Sequence, residues 1–333
     1  MMARPSARVM KALSILGWAV ASVGAHAAEL AHWKLDESPL VDGMAIADSA
    51  GDPDDGTLVL GSATSEDTLF NRGIRFTWGG GTRAEVKVPG IVPSGAAERS
   101  FAAWIWPSGP SDQGNNKIFG YGAPTAGNAF DVGYENGATQ GTGSPGIFLR
   151  HWGGWIQFGD NVELADQFHH LVVRVNAGAS TFADVQVFVD GVELPQVAEG
   201  GGGSAQVLNT SASGFSIAGS EPTPVPGFRG VIDEFRIYDH ALSAQEIAEL
   251  AVRPVLPLSI EVVGRNEFDA MVIEARGLDP AKTYALMRST DLVDFSERVE
   301  SEIDGLSSWD FWDQFAVEGA VFYRLEEVEP PAE

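Results

Sequence analysis

Short runs of β-branched and aromatic residues fill the chain between residues 29 and 238, and clusters of Gly, Asp, Asn and Pro separate them. Runs of this kind are typical of β-strands, and no helical period of useful length interrupts them. In residues 101–107 the large side chains fall on both faces of a strand, which predicts a position deep between two sheets. The pattern therefore predicts an all-β fold built from two stacked antiparallel sheets.

Two hairpins are predicted within this pattern. Residues 185–189 and 192–194 are apolar runs joined by Asp190-Gly191, a pair typical of a type I′ turn. Residues 146–152 and 155–158 form a second pair of runs around two glycines. The glycine-rich run at 200–204 predicts a flexible loop in the same domain.

One helix is predicted directly after the β-rich region. Ser243 can cap its first turn, and Glu246, three residues later, completes a capping box. Residues 253–257 contain two prolines and are typical of a linker. Further strand-like runs in residues 258–328 predict a second, smaller β-sandwich, which leaves residues 29–252 as the first domain.

Residues 1–27 have the composition of a cleavable export signal. Three basic residues precede a short apolar run, and Ala25-His26-Ala27 matches the pattern that signal peptidases accept. The alternative is a membrane anchor, but the apolar run is about a dozen residues long, and roughly 20 are needed to cross a bilayer. We therefore expect cleavage after Ala27 and a secreted, periplasmic or cell-surface protein, with no membrane insertion of the mature chain.

The charge balance narrows the expected partners. The chain has 21 basic and 46 acidic side chains, and loss of three basic residues with the signal would move the formal charge from −25 to 18 − 46 = −28. Such a surface repels phosphate backbones and anionic lipids, so we expect no nucleic acid partner. Cations, glycans and cell-surface proteins are the expected partners. Because cysteine is absent, stability must come from the core and from any bound metal.

Three sequence blocks carry a resemblance to a known family. They are AHWKLDE at 31–37 with the acidic turn at 47–58, FHHLVV at 168–173 with the turn at 189–191, and FRGVIDEFRIY at 228–238 running into the predicted helix. Together they resemble the laminin-G-like, concanavalin A-like jelly-roll family over residues 29–252, which implies a two-sheet antiparallel jelly roll. Residues 258–328 are similar, more loosely, to small fibronectin-like or immunoglobulin-like modules of exported bacterial proteins.

An acidic turn near the start of the first domain is a candidate metal site. Asp48, Asp52 and Asp55 lie within eight residues, and oxygen atoms are the ligands that Ca²⁺ prefers. In the family that the chain resembles, this loop and the strand matched by Asp233 frequently bind structural calcium. The resemblance therefore implies Asp48 and Asp233 as ligands, with Asp52 and Asp55 in support. The alternative is a solvated acidic turn, since Asp and Gly favour turns for conformational reasons.

Aromatic residues around the second hairpin are candidates for carbohydrate binding, because flat apolar faces with polar neighbours suit sugar rings. The candidates are His151, Trp152, Trp155, Tyr121, Tyr134 and Asn136. The favoured alternative is that such aromatics fill the core, since a sandwich of this size needs large side chains there.

No catalytic motif accompanies these candidates. The chain lacks cysteine, a Gly-x-Ser-x-Gly elbow, a His-Glu-x-x-His run and the Glu-x-Asp-x-x-Glu run of glycosidases with this sandwich. His169 and His170 are adjacent in a strand and point to opposite faces, so they cannot chelate together. The leading hypothesis is an exported, non-catalytic glycan-binding module with a structural calcium. The alternatives are an envelope structural or adhesive protein, and a glycoside hydrolase or lyase whose carboxylates converge from distant strands.

Overall fold

The computed structural model describes residues 28–50, 54–59, 61, 63–77, 85–88, 92–110, 116–138, 140–220, 227–254, 258–266, 268–278, 282–299, 308–314 and 321–328. The expected export signal, Asp52 and part of the expected linker lie outside these residues.

Strands account for most of the regular structure. In the first domain they are β1 (Glu29–Trp33), β2 (Ala45–Ile46), β3 (Gly56–Val59), β4 (Ala63–Thr68), β5 (Asn71–Phe76), β6 (Glu85–Val88), β7 (Arg99–Pro107), β8 (Lys117–Gly122), β9 (Ala129–Glu135), β10 (Gly146–Arg150), β11 (Gly154–Phe158), β12 (His169–Val175), β13 (Val185–Val189), β14 (Val192–Leu194), β15 (Gln196–Gly201), β16 (Phe215–Ile217) and β17 (Gly230–Tyr238). Two 3-10 turns (Phe182–Asp184 and Gly203–Ala205) and helix α1 (Ala244–Leu250) complete it. The remaining strands are β18 (Ser259–Arg265), β19 (Met271–Arg276), β20 (Thr283–Ser289), β21 (Glu297–Arg298), β22 (Ser308–Asp313) and β23 (Phe322–Val328).

The first seventeen strands form two sheets that pack face to face as a jelly-roll sandwich. The eight-stranded sheet has the order β14-β13-β12-β7-β17-β5-β4, and β1 also pairs with β17. The nine-stranded sheet has the order β15-β11-β10-β9-β8-β16-β6-β3-β2. The expected all-β fold with a two-sheet antiparallel sandwich is confirmed.

Large aromatic side chains from both sheets interlock in the core. Phe101 of β7 meets Phe119 of β8 with ring centroids 4.7 Å apart, and it stacks on Phe215 of β16 at 6.0 Å. Trp33 of β1 is fully buried and also stacks on Phe215. Because burial of each such ring contributes roughly 1.5–3 kcal/mol, this core can stabilise a chain that has no disulfides.

Helix α1 begins where the capping pattern predicts it. The Ser243 hydroxyl accepts a hydrogen bond from the Glu246 amide (3.2 Å), and the Glu246 carboxylate accepts one from the Ser243 amide (2.7 Å). Leu242 and Ile247 pack on Val172 at the outer surface of the eight-stranded sheet. Within the described part of the chain, no helix has the length and apolar character needed to cross a bilayer.

Both predicted hairpins form. Asp190 and Gly191 have φ angles of 50° and 79°, as a type I′ turn between β13 and β14 requires. The second hairpin joins β10 and β11, whose register pairs Arg150 with Trp155.

The glycine run at 200–203 is regular structure rather than a flexible loop. Gly200 and Gly201 belong to β15 and pair with Trp155 and Gly154 of β11. A Cβ atom at Gly200 would lie 2.6 Å from the indole Nε1 of Trp155. Glycine is therefore required here because the tryptophan ring lies against the backbone.

Residues 258–328 form a smaller unit of two three-stranded sheets, β18-β19-β22 and β21-β20-β23. Ile273, Leu286 and Phe311 are fully buried between these sheets. The specific resemblance of this unit to fibronectin-like or immunoglobulin-like modules stays a prediction.

Candidate functional site

Two of the aromatic candidates lie in the core. Tyr121 and Tyr134 are fully buried, and burial raises the pKa of Tyr121 to about 12. The Tyr134 hydroxyl donates to the Val162 carbonyl (2.9 Å) and accepts from the Leu164 amide (3.0 Å). Both side chains point inward because they alternate with outward-facing residues on β8 and β9, so they are not on a surface that a ligand could reach.

His151 and Asn136 also make internal contacts. His151 is fully buried, stacks on Phe182 with ring centroids 4.5 Å apart, and has its Nε2 3.1 Å from the Gly203 carbonyl. Burial lowers the pKa of His151. The Asn136 side-chain oxygen accepts a hydrogen bond from the Ala138 amide (2.9 Å). These contacts hold loops in place.

The two tryptophans of the β10–β11 hairpin lie at the surface. Trp152 is 49% exposed and has a φ angle of 66° in the turn. Trp155 is partly exposed and points away from the core, with its ring 5.8 Å from that of Phe148. Its position places an aromatic surface on the outside of the nine-stranded sheet.

Charged side chains that the sequence analysis did not single out line the same surface. Trp155 pairs across strands with Arg150, Arg150 with Asp131, and Asp131 with Gly120. Directly opposite residues of antiparallel strands share one face, so these residues form a row across the sheet. Further polar residues of β6, β8, β9 and β16 point outward because core residues flank them. We call this surface the polar face: Glu85, Lys87, Lys117, Asp131, Glu135, Arg150, Trp155 and Ser216.

Two ion pairs occupy the middle of the polar face. The Lys117 ammonium donates to Asp131 Oδ2 at 2.7 Å, and both side chains are nearly inaccessible, at 4% and 3% exposure. Arg150 donates through Nε to Glu135 Oε1 at 3.0 Å and through Nη2 to Glu135 Oε2. The Arg150 side chain is 20% exposed, so it is the member of these pairs that a ligand can most easily reach.

A third pair lies toward the far edge of the sheet. Lys87 Nζ is 3.7 Å from Glu85 Oε1, and the lysine side chain is 44% exposed. The described strands of the polar face therefore carry three basic and three acidic side chains. The face is neutral although the chain as a whole has a formal charge of −25.

Glycine leaves room for the buried carboxylate of this network. A Cβ atom at Gly120 would lie 2.4 Å from Asp131 Oδ1, which accepts a hydrogen bond from the Ser220 hydroxyl at 2.5 Å. Gly133, opposite Lys117, likewise places no side chain on the polar face, and a Cβ atom there would lie 3.0 Å from the Asn116 carbonyl oxygen. These positions let the sheet hold charged groups close to its backbone.

The loop between β9 and β10 borders the polar face beside Trp155. Gln157 Oε1 accepts from the Thr142 amide (2.8 Å), and its Nε2 donates to the Ser144 carbonyl (3.2 Å). Gln140 from the same loop accepts from Arg150 Nη1 at 2.5 Å. The loop thus fixes the Arg150 guanidinium from a second side.

The sequence of strand β9 indicates that this sheet has a polar outer surface. Its apolar residues Phe130, Val132 and Tyr134 alternate with Asp131, Gly133 and Glu135. Alternation predicts that one face is buried and the other polar. It does not reveal that lysine and arginine from neighbouring strands pair with the two carboxylates.

Asp48, a predicted calcium ligand, organises its own turn. Its Oδ1 accepts from the amides of His32 (2.8 Å) and Ala50 (2.9 Å), and its Oδ2 accepts from the Asp54 amide (3.1 Å). Asp55 Oδ1 accepts from the Asp48 amide at 3.1 Å. Three amide donors thus already occupy the Asp48 carboxylate, while Asp52 lies outside the described residues.

Asp233, the other predicted ligand, is fully buried on the outer side of β17. Its Oδ2 accepts a hydrogen bond from the Thr68 hydroxyl, whereas its Oδ1 has no hydrogen-bond partner within the described structure. Burial raises the pKa of Asp233 to about 8, and the nearby carboxylates of Glu234 and Asp36 add to the rise.

The described residues include no group of three or more His, Asp or Glu side chains placed to hold a metal ion. Asp233 is suited to serve as a cation ligand through Oδ1, which has no hydrogen-bond partner among the described residues. Asp36, whose charge acts on Asp233, is the nearby carboxylate that could join it. Asp48 fits a turn-stabilising role better than a ligand role.

Comparison with known proteins identifies one family. Residues 79–248, just over half of the 333-residue chain, match a laminin G model described as the concanavalin A-like lectin/glucanases superfamily. No curated protein matches the chain.

Several solved structures are similar over most of the chain. Domain 4 of AbnA, a GH43 extracellular arabinanase from Geobacillus stearothermophilus solved with arabinotriose, is 22% identical with a TM-score of 0.49, covering 68% of this chain and 99% of that one. The binding domain of Paraclostridial Mosquitocidal Protein 1 is 11% identical (TM-score 0.42; 75% and 64% covered). Trypanosoma rangeli sialidase is 15% identical (TM-score 0.43; 66% and 32% covered). At TM-scores below 0.5, none of these similarities bears on function.

Proposed function

Because the chain belongs to the concanavalin A-like lectin/glucanase superfamily, we propose that it is a carbohydrate-binding protein and that the polar face is its binding surface. The observation that supports this proposal is the row formed by Trp155, Arg150 and Asp131. It places an aromatic surface directly beside charged hydrogen-bonding groups, the combination that sugar rings require.

Each group in the row has a distinct role in this proposal. The Trp155 ring stacks on the apolar face of a sugar ring, and the Arg150 guanidinium donates hydrogen bonds to its hydroxyls. Glu135 and Gln140 hold that guanidinium in one orientation before a ligand arrives. Such preorganisation lowers the entropy cost of binding.

A glycan array followed by calorimetry tests the proposal. We expect Trp155→Ala to weaken binding by about tenfold or more, because a central aromatic contact contributes about 2 kcal/mol. Trp312→Ala is the matched control, since Trp312 is a 47% exposed tryptophan of the small unit. Trp152→Ala, in the neighbouring turn, should give a smaller loss. If Trp155→Ala and Trp312→Ala bind alike, the polar face is not the binding surface.

We also propose that calcium stabilises the sandwich through Asp233 and Asp36. The unpartnered Asp233 oxygen supports this proposal, since a cation would relieve the cost of burying that carboxylate. Calcium would then link the β1 end of the domain to β17. In thermal unfolding, calcium should raise the Tm of the natural chain and not that of Asp233→Asn. An equal rise in both proteins would remove Asp233 from the ligand set.

Export and the absence of catalysis are part of the same proposal. Mass spectrometry of the protein from cells should find a mature chain that begins at Ala28. Asp131 and Glu135 share one face of β9, and ion pairs with Lys117 and Arg150 occupy both carboxylates. Glycosidases need a pair of carboxyl groups that act on the substrate, so these ion pairs favour binding over hydrolysis. New reducing ends released from a bound glycan would overturn the non-catalytic role, and failure to bind any glycan would favour the structural or adhesive alternative.

A further inference from the structure

We infer that the polar face selects neutral glycans over acidic ones, and that Glu135 and Glu85 set this selectivity by occupying the accessible cations. The inference rests on the proposed carbohydrate function of the same surface. It concerns the class of glycan, which the fold does not specify.

The Arg150–Glu135 pair is the contact that most directly disfavours an acidic ligand. Both oxygens of Glu135 are bound by Arg150, through Nε and Nη2. This two-point contact is the one by which arginine recognises a carboxylate or sulfate of a ligand. An acidic sugar would have to displace Glu135 from the fork, whereas a sugar hydroxyl needs only an N–H group that faces outward.

The other two basic side chains, Lys117 and Lys87, offer an acidic ligand no better contact. Lys117 is 4% exposed and forms its ion pair with Asp131 beneath the surface. Lys87 is accessible, but Glu85 lies 3.7 Å away and presents a like charge to any incoming anion. The three pairs together leave the polar face without a net positive charge.

The net negative charge of the whole molecule also disfavours acidic glycans. A formal charge of −25 produces a field that slows the approach of anions and does not affect neutral ligands. Hydroxyl groups both donate and accept, so a neutral sugar can use the N–H groups and the carboxylate oxygens of one ion pair together. An ion pair is therefore suited to a pair of neighbouring hydroxyls.

The test measures binding of galactan, glucan, xylan, arabinan and mannan oligosaccharides against polygalacturonate and heparin. The natural chain should bind at least one neutral glycan and bind the acidic ones at least about tenfold more weakly. Glu135→Gln keeps the size of the side chain and removes its charge. It should strengthen binding of an acidic glycan by about tenfold, because a charged hydrogen bond to Arg150 becomes available to the ligand.

A matched control separates this local effect from overall charge. Glu327→Gln removes the same charge from the exposed Lys282–Glu327 pair of the small unit and should leave both affinities unchanged. The gain in Glu135→Gln should also decline as salt is added, whereas neutral binding should not. Equal gains in the two variants would overturn the assignment to Glu135.

A second variant keeps the inference testable if Glu135→Gln fails to fold. Glu85→Gln removes the carboxylate charge that lies 3.7 Å from the accessible Lys87 ammonium and should also improve binding of the acidic glycans. Preferential binding of polygalacturonate or heparin by the natural chain would overturn the inference while leaving carbohydrate binding intact. Failure to bind any of the glycans would instead overturn the proposed function.

Discussion

The outer surfaces of the two sheets both bury charged or titratable groups, but they stabilise them in different ways. On the nine-stranded sheet, Asp131 and Glu135 are each paired with a basic side chain. On the eight-stranded sheet, Asp233 and His170 lie on either side of Trp104, and neither forms an ion pair with another described residue. Burial raises the pKa of Asp233 to about 8 and lowers that of His170 to about 4. For both groups burial is the largest influence on the pKa, so each favours its neutral form.

Glu234 shows that hydrogen-bonding partners, rather than burial alone, decide the direction in which the pKa of a carboxyl group shifts. It follows Asp233 directly in β17 and is also buried. Burial alone would raise its pKa, but hydrogen bonds with His32 (2.6 Å) and Arg236 (2.7 Å) lower it instead. Two adjacent carboxylates therefore favour opposite protonation states at neutral pH.

The largest expected effect comes from breaking a pair on the nine-stranded sheet. Lys117→Met leaves the Asp131 carboxylate buried without its cation, which should lower the free energy of unfolding by about 3–5 kcal/mol in urea titrations. Lys282→Met, in an exposed pair, should cost less than about 1 kcal/mol. Similar losses in both variants would show that burial of the Lys117–Asp131 pair has no special importance.

The next effect is a pH dependence that originates from Asp233. In the unfolded chain its pKa is near the ordinary value of 3.8, so between about pH 4 and pH 8 only the folded state keeps the proton. Stability should therefore fall as pH rises through this window, by at most about 1.4 kcal/mol per pH unit. Unfolding measured in a chelator should show this slope, and Asp233→Asn should remove it.

His170 should produce the opposite slope over a narrower window. Its folded-state pKa of about 4 lies below the ordinary value of 6.5, so the unfolded state gains a proton first as pH falls from 6.5 to 4. Between pH 4 and 6.5 this contribution opposes that of Asp233, so the natural chain should lose stability with rising pH chiefly between about pH 6.5 and 8. His170→Gln should extend that loss down to about pH 4, and an unchanged profile would mean that another group is responsible.

The smallest effect concerns helix α1, which covers part of the eight-stranded sheet. Ser243→Ala removes the hydroxyl that accepts from the Glu246 amide, and we expect a loss of about 1 kcal/mol in the free energy of unfolding. Ser204→Ala, a serine replacement at a 3-10 turn, is the comparison. A loss in Ser243→Ala no greater than in that control would mean that the cap contributes little.

Local signals predicted the fold well. The Asp190-Gly191 turn and the Ser243 cap depend on neighbours within a few residues, and both form as expected. The run at 200–204 predicts a flexible loop but instead forms regular structure, because Gly200 packs against Trp155, a residue more than forty positions away. Composition alone cannot show which distant side chain lies against a glycine.

The candidate site was predictable only in part. Trp155 was found because aromatics beside a turn are a local signal, and the structure places it on the polar face. Tyr121 and Tyr134 lie in the core, since strand alternation rather than residue type decides which face a side chain takes. Arg150 and Glu135 come into contact only when β9 and β10 pair, so no single stretch of sequence predicts that they form an ion pair.

The position of β17 has a consequence for how the domain folds. This strand pairs with β1, β5 and β7, and it joins Glu29 to Tyr238 across more than two hundred residues. Contacts between such distant residues form slowly, and the earlier strands expose unpaired edges until β17 arrives. A chain synthesised from its N-terminus therefore cannot complete the eight-stranded sheet until almost the whole sandwich has been made. A fragment that stops before Gly230 should aggregate rather than fold into a smaller domain.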